Sequence, residues 1–129
     1  MPYSKLEKFQ SRTWGPFGWI FKDLLGIVTA RFTWNWSFDC AGSYNGHGKF
    51  LMNVGPAIKE IYAAWGFTVN VNTTVSTKPT NYGTVEDPIA GIQVEVTMDM
   101  KTAIQHYVNK CRLLVKGDCS TTLVACDGY

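Results

Sequence analysis

Three polar side chains in one stretch, Tyr82, Glu86 and Asp87, are placed where a short chain can hold chemistry. They lie in residues 76–90, and a structureless loop of more than about 12 residues in a compact domain is usually functional or mobile. A phenol and two carboxylates can take or give protons, or stabilise a developing cation. Glu95 follows on the polar side of an alternating run, Ile92 to Met98.

A second candidate surrounds Cys40-Ala41-Gly42-Ser43-Tyr44-Asn45-Gly46-His47-Gly48-Lys49. Its glycines and Lys49 approach the phosphate-loop pattern and miss it twice. The glycine spacing is one residue too long, and Phe50 stands where a metal-binding hydroxyl belongs. What is left is a looser anion site of backbone amides with Lys49, beside an accessible His47. His47 and His106 each stand alone in sequence, and acid–base catalysis needs an orienting partner that the sequence does not reveal. The four cysteines lack a close chelating pair, which argues against zinc. No metal or cofactor is expected.

Composition narrows the setting. Charged residues are 17% and the net charge is +2, with no basic run, so a nucleic-acid partner is not expected. Aromatic residues are 14%, with five Trp, more than a thin core readily takes. Met1 to Gln10 carries no secretory apolar run, and Lys22 and Asp23 interrupt the apolar segment 15–30. The expectation is therefore a cytoplasmic protein without a membrane partner, with Cys111 and Cys126 as buried free thiols.

The elements that must position these groups alternate in period. Residues 4–14 and 16–26 read as helices, the second with Phe17, Ile20, Phe21 and Leu24 at i, i+3, i+4 and i+7 and with Gly26 as its stop. They form an N-terminal helical arm, 1–26. Residues 27–38 read as a strand with Phe32, Trp34, Trp36 and Phe38 on one face. Residues 56–65 read as a helix burying Ile58, Ile61, Tyr62 and Trp65, and 67–75 as a strand. After the strand 92–98, Asp99 caps a helix that buries Ile104, Tyr107, Val108, Cys111 and Val115, and 121–126 is the last strand. That order predicts one α+β domain, 27–129, with a ferredoxin-like βαββαβ sheet and both helices on one face.

The stretch Ala90-Gly91-Ile92-Gln93-Val94-Glu95-Val96-Thr97-Met98-Asp99, the following helix and Lys116-Gly117-Asp118 resemble the PII-like branch of ferredoxin folds in layout. The resemblance covers residues 56–126 and implies a homotrimer with small-molecule clefts between subunits. Phage S-adenosylmethionine lyases are similar in arrangement. By that resemblance Glu86, Glu95 and Tyr82 are catalytic, while Asp87, His47, Lys49 and Tyr62 contact a nucleotide- or S-adenosylmethionine-like ligand. Two non-enzymatic functions compete. One is a viral or phage assembly or protein-interaction subunit, favoured by the aromatic strand. The other is base stacking on that strand.

Overall fold

The computed structural model describes residues 8–76 and 80–129. These residues form strands and turns only. The strands are β1 (Gln10–Lys22), β2 (Val28–Tyr44), β3 (His47–Ala63), β4 (Thr68–Val75), β5 (Thr80–Asn81), β6 (Ala90–Lys101), β7 (His106–Lys116) and β8 (Thr121–Cys126). They make two antiparallel sheets, one ordered β1-β2-β3 and the other β4-β6-β7-β8, with β5 short against β6. The α+β ferredoxin-like expectation is therefore overturned: the chain is an all-β sandwich.

Alternation explains the core. β2 turns Phe32, Trp34, Trp36, Phe38 and Cys40 inward, and β1 adds Phe17 and Trp19 from the neighbouring strand. The rings pack edge to face and offset: Trp19 and Trp34 centroids are 4.8 Å apart, and Trp34 and Trp36 are 5.7 Å apart at near right angles. The facing sheet is aliphatic, with Val94, Val96, Met98 and Met100 from β6 and Cys111, Leu113 and Val115 from β7. Large rings on one wall against small branched chains on the other let the layers interdigitate at core density.

Three expected helices are strands. Residues 16–22 belong to β1, where Gly15 and Pro16, joined by a cis peptide, bulge opposite Asn35. The helix expected over 56–65 is the second half of β3, and its supposed stripe of Ile58, Ile61, Tyr62 and Trp65 is exposed. The helix expected over 99–115 is the end of β6, a turn and β7. Each segment is rich in aromatic or β-branched residues, which favour a pleated surface once a partner strand is present. Of the arm, residues 1–7 lie outside the described residues, and the later part of the helix expected over 4–14 is a strand as well, since β1 begins at Gln10.

The hairpins give the sandwich two distinct ends. At one end meet the β2–β3 turn, the loop before β6 and the β7–β8 turn. Here the sheets are tied: the Ala41 amide donates to the Gly117 carbonyl at 2.6 Å, Gly117 N–H to Ala90 O at 2.7 Å, and Lys49 N–H to Pro88 O at 2.7 Å. A Cβ at Gly117 would fall 1.9 Å from the Lys49 carbonyl oxygen, so this approach requires glycine. A disulfide, Cys40–Cys119, crosses the same end, and Cys111–Cys126 joins β7 to β8. The cysteines expected as free thiols are thus paired. At the other end meet the β1–β2, β3–β4 and β6–β7 turns, and this end is open.

Candidate functional site

The closed end gathers five of the sequence-derived candidates, and the polar groups of Asp87 and Lys49 there serve its own backbone. Asp87 accepts a hydrogen bond from the Gly48 amide at 2.7 Å. With Lys49 N–H given to Pro88, those two amides have no donor left for an anion. Tyr82 packs on Gly91, with the Lys116 ammonium 4.4 Å above its ring. His47 is exposed on the β2–β3 hairpin, and Glu86 is exposed in the loop 82–88. Hydrogen bonds from the Ser120 hydroxyl and amide hold the Asp118 carboxyl below the usual range, and the Lys49 and Lys116 charges add to this.

Glu95 and Tyr62 lie elsewhere. Glu95 is on the outer face of its sheet, 2.8 Å from Arg112. Tyr62 is half-exposed near the top of β3, beside Ile27 and Arg31. The seven candidates therefore do not converge on one cleft within this chain.

What converges instead is at the open end, and it is apolar. In the β1–β2 turn the Asp23 carboxylate accepts from the Leu25 and Ile27 amides, both at 2.9 Å, and Gly26 takes φ 82°. The polar side chain thus folds inward on its own turn and leaves Leu24 and Leu25 at the apex. In the β3–β4 turn Phe67 N–H donates to Ala64 O at 3.0 Å, Gly66 takes φ 86°, and Trp65 projects. In the β6–β7 turn Thr102 Oγ1 accepts from Gln105 N–H at 2.9 Å and Ile104 N–H at 3.3 Å, and Ile104 projects. The exposures decide the point: Leu24 105%, Leu25 85%, Trp65 99% and Ile104 91%. One exposed apolar side chain is ordinary, but three neighbouring tips that each carry one form the candidate interaction surface of this chain.

Near these tips Glu60 pairs with Arg31 at 3.0 Å and Asp99 with His106 at 2.5 Å, while Asp23 accepts two amide hydrogen bonds of its own turn and keeps its charge. Among the described residues no carboxylate pairs with Lys22, Lys59 or Lys101. Between the β1–β2 and β6–β7 tips lies a concavity of about 560 Å³. Phe67 and Met100 line it, and Phe21 and Tyr107 meet across it with centroids 6.1 Å apart.

Comparison with protein-family models, curated proteins and solved structures finds no match to this chain. Among the described residues no helix is long and apolar enough to cross a membrane. Sequence reasoning passed over Leu24, Leu25, Trp65 and Ile104 as helix residues. The signal that could have found them is local: Leu24-Leu25-Gly26 and Trp65-Gly66 put large apolar residues directly before turn glycines, where turns are normally polar.

Proposed function

We propose that this chain is a non-catalytic membrane-docking module that inserts its open end into the interface of a lipid bilayer. The observation that carries this reading is the set of three turns at one end, the β1–β2 and β6–β7 hairpins and the β3–β4 link between the sheets, each with a fully exposed large apolar side chain. Separate protruding tips suit a fluid interface better than a flat protein partner, which needs a continuous complementary patch. Trp is favoured at the headgroup level. Lys22, Lys59 and Lys101, which form no ion pair among the described residues, suit anionic headgroups at about 1 kcal/mol each when close to the surface, offset in part by the Asp23 charge. The expectation of no membrane partner weighed only helices, on the break that Lys22 and Asp23 put into the apolar segment 15–30, and strand sandwiches dock through tips instead. The two disulfides support an oxidising compartment in place of the cytoplasm.

The lyase expectation has less support. Glu95 is engaged with Arg112, Asp87 with Gly48, and Tyr82 lies under Lys116. None of these groups faces the concavity at the open end.

Vesicle flotation tests the proposal at about 0.15 M salt, with phosphatidylcholine alone and mixed with phosphatidylserine. The chain floats with both and more strongly with the anionic mixture. The triple variant Leu24→Ser, Trp65→Ser, Ile104→Ser partitions about 100-fold more weakly, since each side chain loses about 1 kcal/mol or more of apolar burial. Equal flotation of both proteins overturns the proposal. So does a lipid-free oligomer that the triple variant dissolves, because the tips would then bind a second copy.

A further inference from the structure

We infer that the free edge of β4 is the surface on which two copies of this chain pair, strand against antiparallel strand, across a two-fold axis at Asn72. This inference is independent of the bilayer reading. A free sheet edge presents unpaired N–H and C=O groups, and proteins blunt such edges with proline, charge, bulges or shortness. Three of the four edges of this sandwich are blunted. β1 bulges at Gly15-Pro16 and carries Arg12 and Lys22. β3 holds Pro56 and Lys59 and breaks register with β2 at four places. β8 is six residues long and bulged at Val124. β4 has none of these devices. Its register with β6 is unbroken from Thr68 to Val75, and residues 67–76 hold no charge, proline or glycine.

The backbone of β4 is aimed at such a partner. Ser76 N–H donates to Gln93 O at 2.9 Å, so by the period of two the even-numbered residues of β4 turn their backbone groups to β6. Those of Val69, Val71, Thr73 and Val75 turn outward, and among the described residues no backbone bond outside the sheet ladders uses them. The side chains favour a second copy as the occupant. In the two-fold register centred on Asn72, Val69 of one copy lies opposite Val75 of the other, Val71 opposite Thr73, and Asn70 opposite Thr74. Val and Thr then share the inner face and Asn and Thr the outer one. No charge is set against its own image, as a self-complementary interface requires. The same register makes the outward-turned residues the hydrogen-bonded pairs. The margin beside this edge is also uncovered. Ile58 and Ile61 pair with the buried Trp34 and Phe32 on the inner face of their sheet, yet both are half-exposed. β3 packs over β4 and β6, so a strand added beyond β4 extends the second sheet toward these two side chains and buries part of them.

Sedimentation over a concentration series, without lipid, tests the edge. The native chain is a dimer in equilibrium with its monomer, and the amides of Val69, Val71, Thr73 and Val75 gain hydrogen-exchange protection as the dimer forms. Asn72→Lys and Asn72→Asp each set like charges together at the axis and weaken the dimer at least about 10-fold. Asn72 is exposed on the polar face of β4, so both variants keep the native fold. An equal mixture of the two restores a dimer with one copy of each, which a folding defect could not do. A chain that stays monomeric up to millimolar concentration overturns the proposal. So does a dimer that both Asn72 variants leave unchanged, or a mixture of them that stays monomeric. The triple tip variant keeps the native dimer. A dimer lost in that variant and kept in Asn72→Lys lies on the tips and overturns the edge assignment.

Discussion

Trp65 and Trp34 are the same residue type in opposite positions. Trp34 is fully buried among Phe32, Trp19 and Trp36, while Trp65 projects from its turn with nothing over it. Trp34→Ala is expected to cost about 3–5 kcal/mol of stability. Trp65→Ser is expected to change stability by less than about 0.5 kcal/mol while weakening flotation. Denaturant melts of both variants beside the flotation assay check the pair. Two carboxylates carry the pH response. Asp39 is held below its usual range by hydrogen bonds from Asn53 and then Ser11, and Asp118 by Ser120. A carboxyl whose folded pKa is depressed adds stability above its unfolded value and loses it as pH falls through the folded one. Thermal melts should therefore show these contributions intact above about pH 5 and declining below about pH 4. The decline is small because both groups face solvent, and Asp118→Asn reduces it.

At the scale of elements, the strands whose one face is fully apolar were legible. Phe32, Trp34, Trp36 and Phe38 share the buried face of β2 as their alternation requires, and Val94, Val96 and Met98 do so in β6. The β1 segment was not legible, because it carries apolar residues on both faces. Phe17, Trp19 and Phe21 run at i, i+2 and i+4 into the core, while Ile20 and Leu24 complete a helical i, i+3, i+7 pattern from the exposed side. Both templates fit such a segment, and only its pairing with β2 decides. The breaks were legible: Gly26 and Gly66 have positive φ as turn glycines do, but between strands instead of after helices. Misreading the elements hid the site, since a residue taken for a helix stripe is counted as core. Among the candidates, the meeting of His47 and Lys49 with Tyr82, Glu86 and Asp87 depends on contacts between β3 and the loop before β6, such as that of Gly48 with Asp87, 39 positions apart. No local pattern encodes such a contact. The closed end also supplies a test of element packing. Gly117→Ala places a Cβ against the Lys49 carbonyl and is expected to cost about 1–3 kcal/mol, read as a lowered denaturation midpoint.

The whole molecule is fastened at one end and exposed at the other. The Cys40–Cys119 bond spans 79 residues of chain, so its removal releases much unfolded-state entropy. The double variant Cys40→Ala, Cys119→Ala is expected to lose about 2–5 kcal/mol in equilibrium unfolding. Because the bond lies at the closed end, the folded double variant still floats with vesicles. Fastening the sheets away from the tips leaves the open end free to present Leu24, Leu25, Trp65 and Ile104 without relying on them for stability. The most direct measurement is fluorescence quenching by phospholipids brominated on their acyl chains, comparing the native protein with Trp65→Phe. The variant keeps an apolar tip and still binds. Quenching is expected in the native protein and largely lost in Trp65→Phe, which places that indole among the bromines. Equal quenching in the two proteins, or none in either, would contradict insertion of the open end.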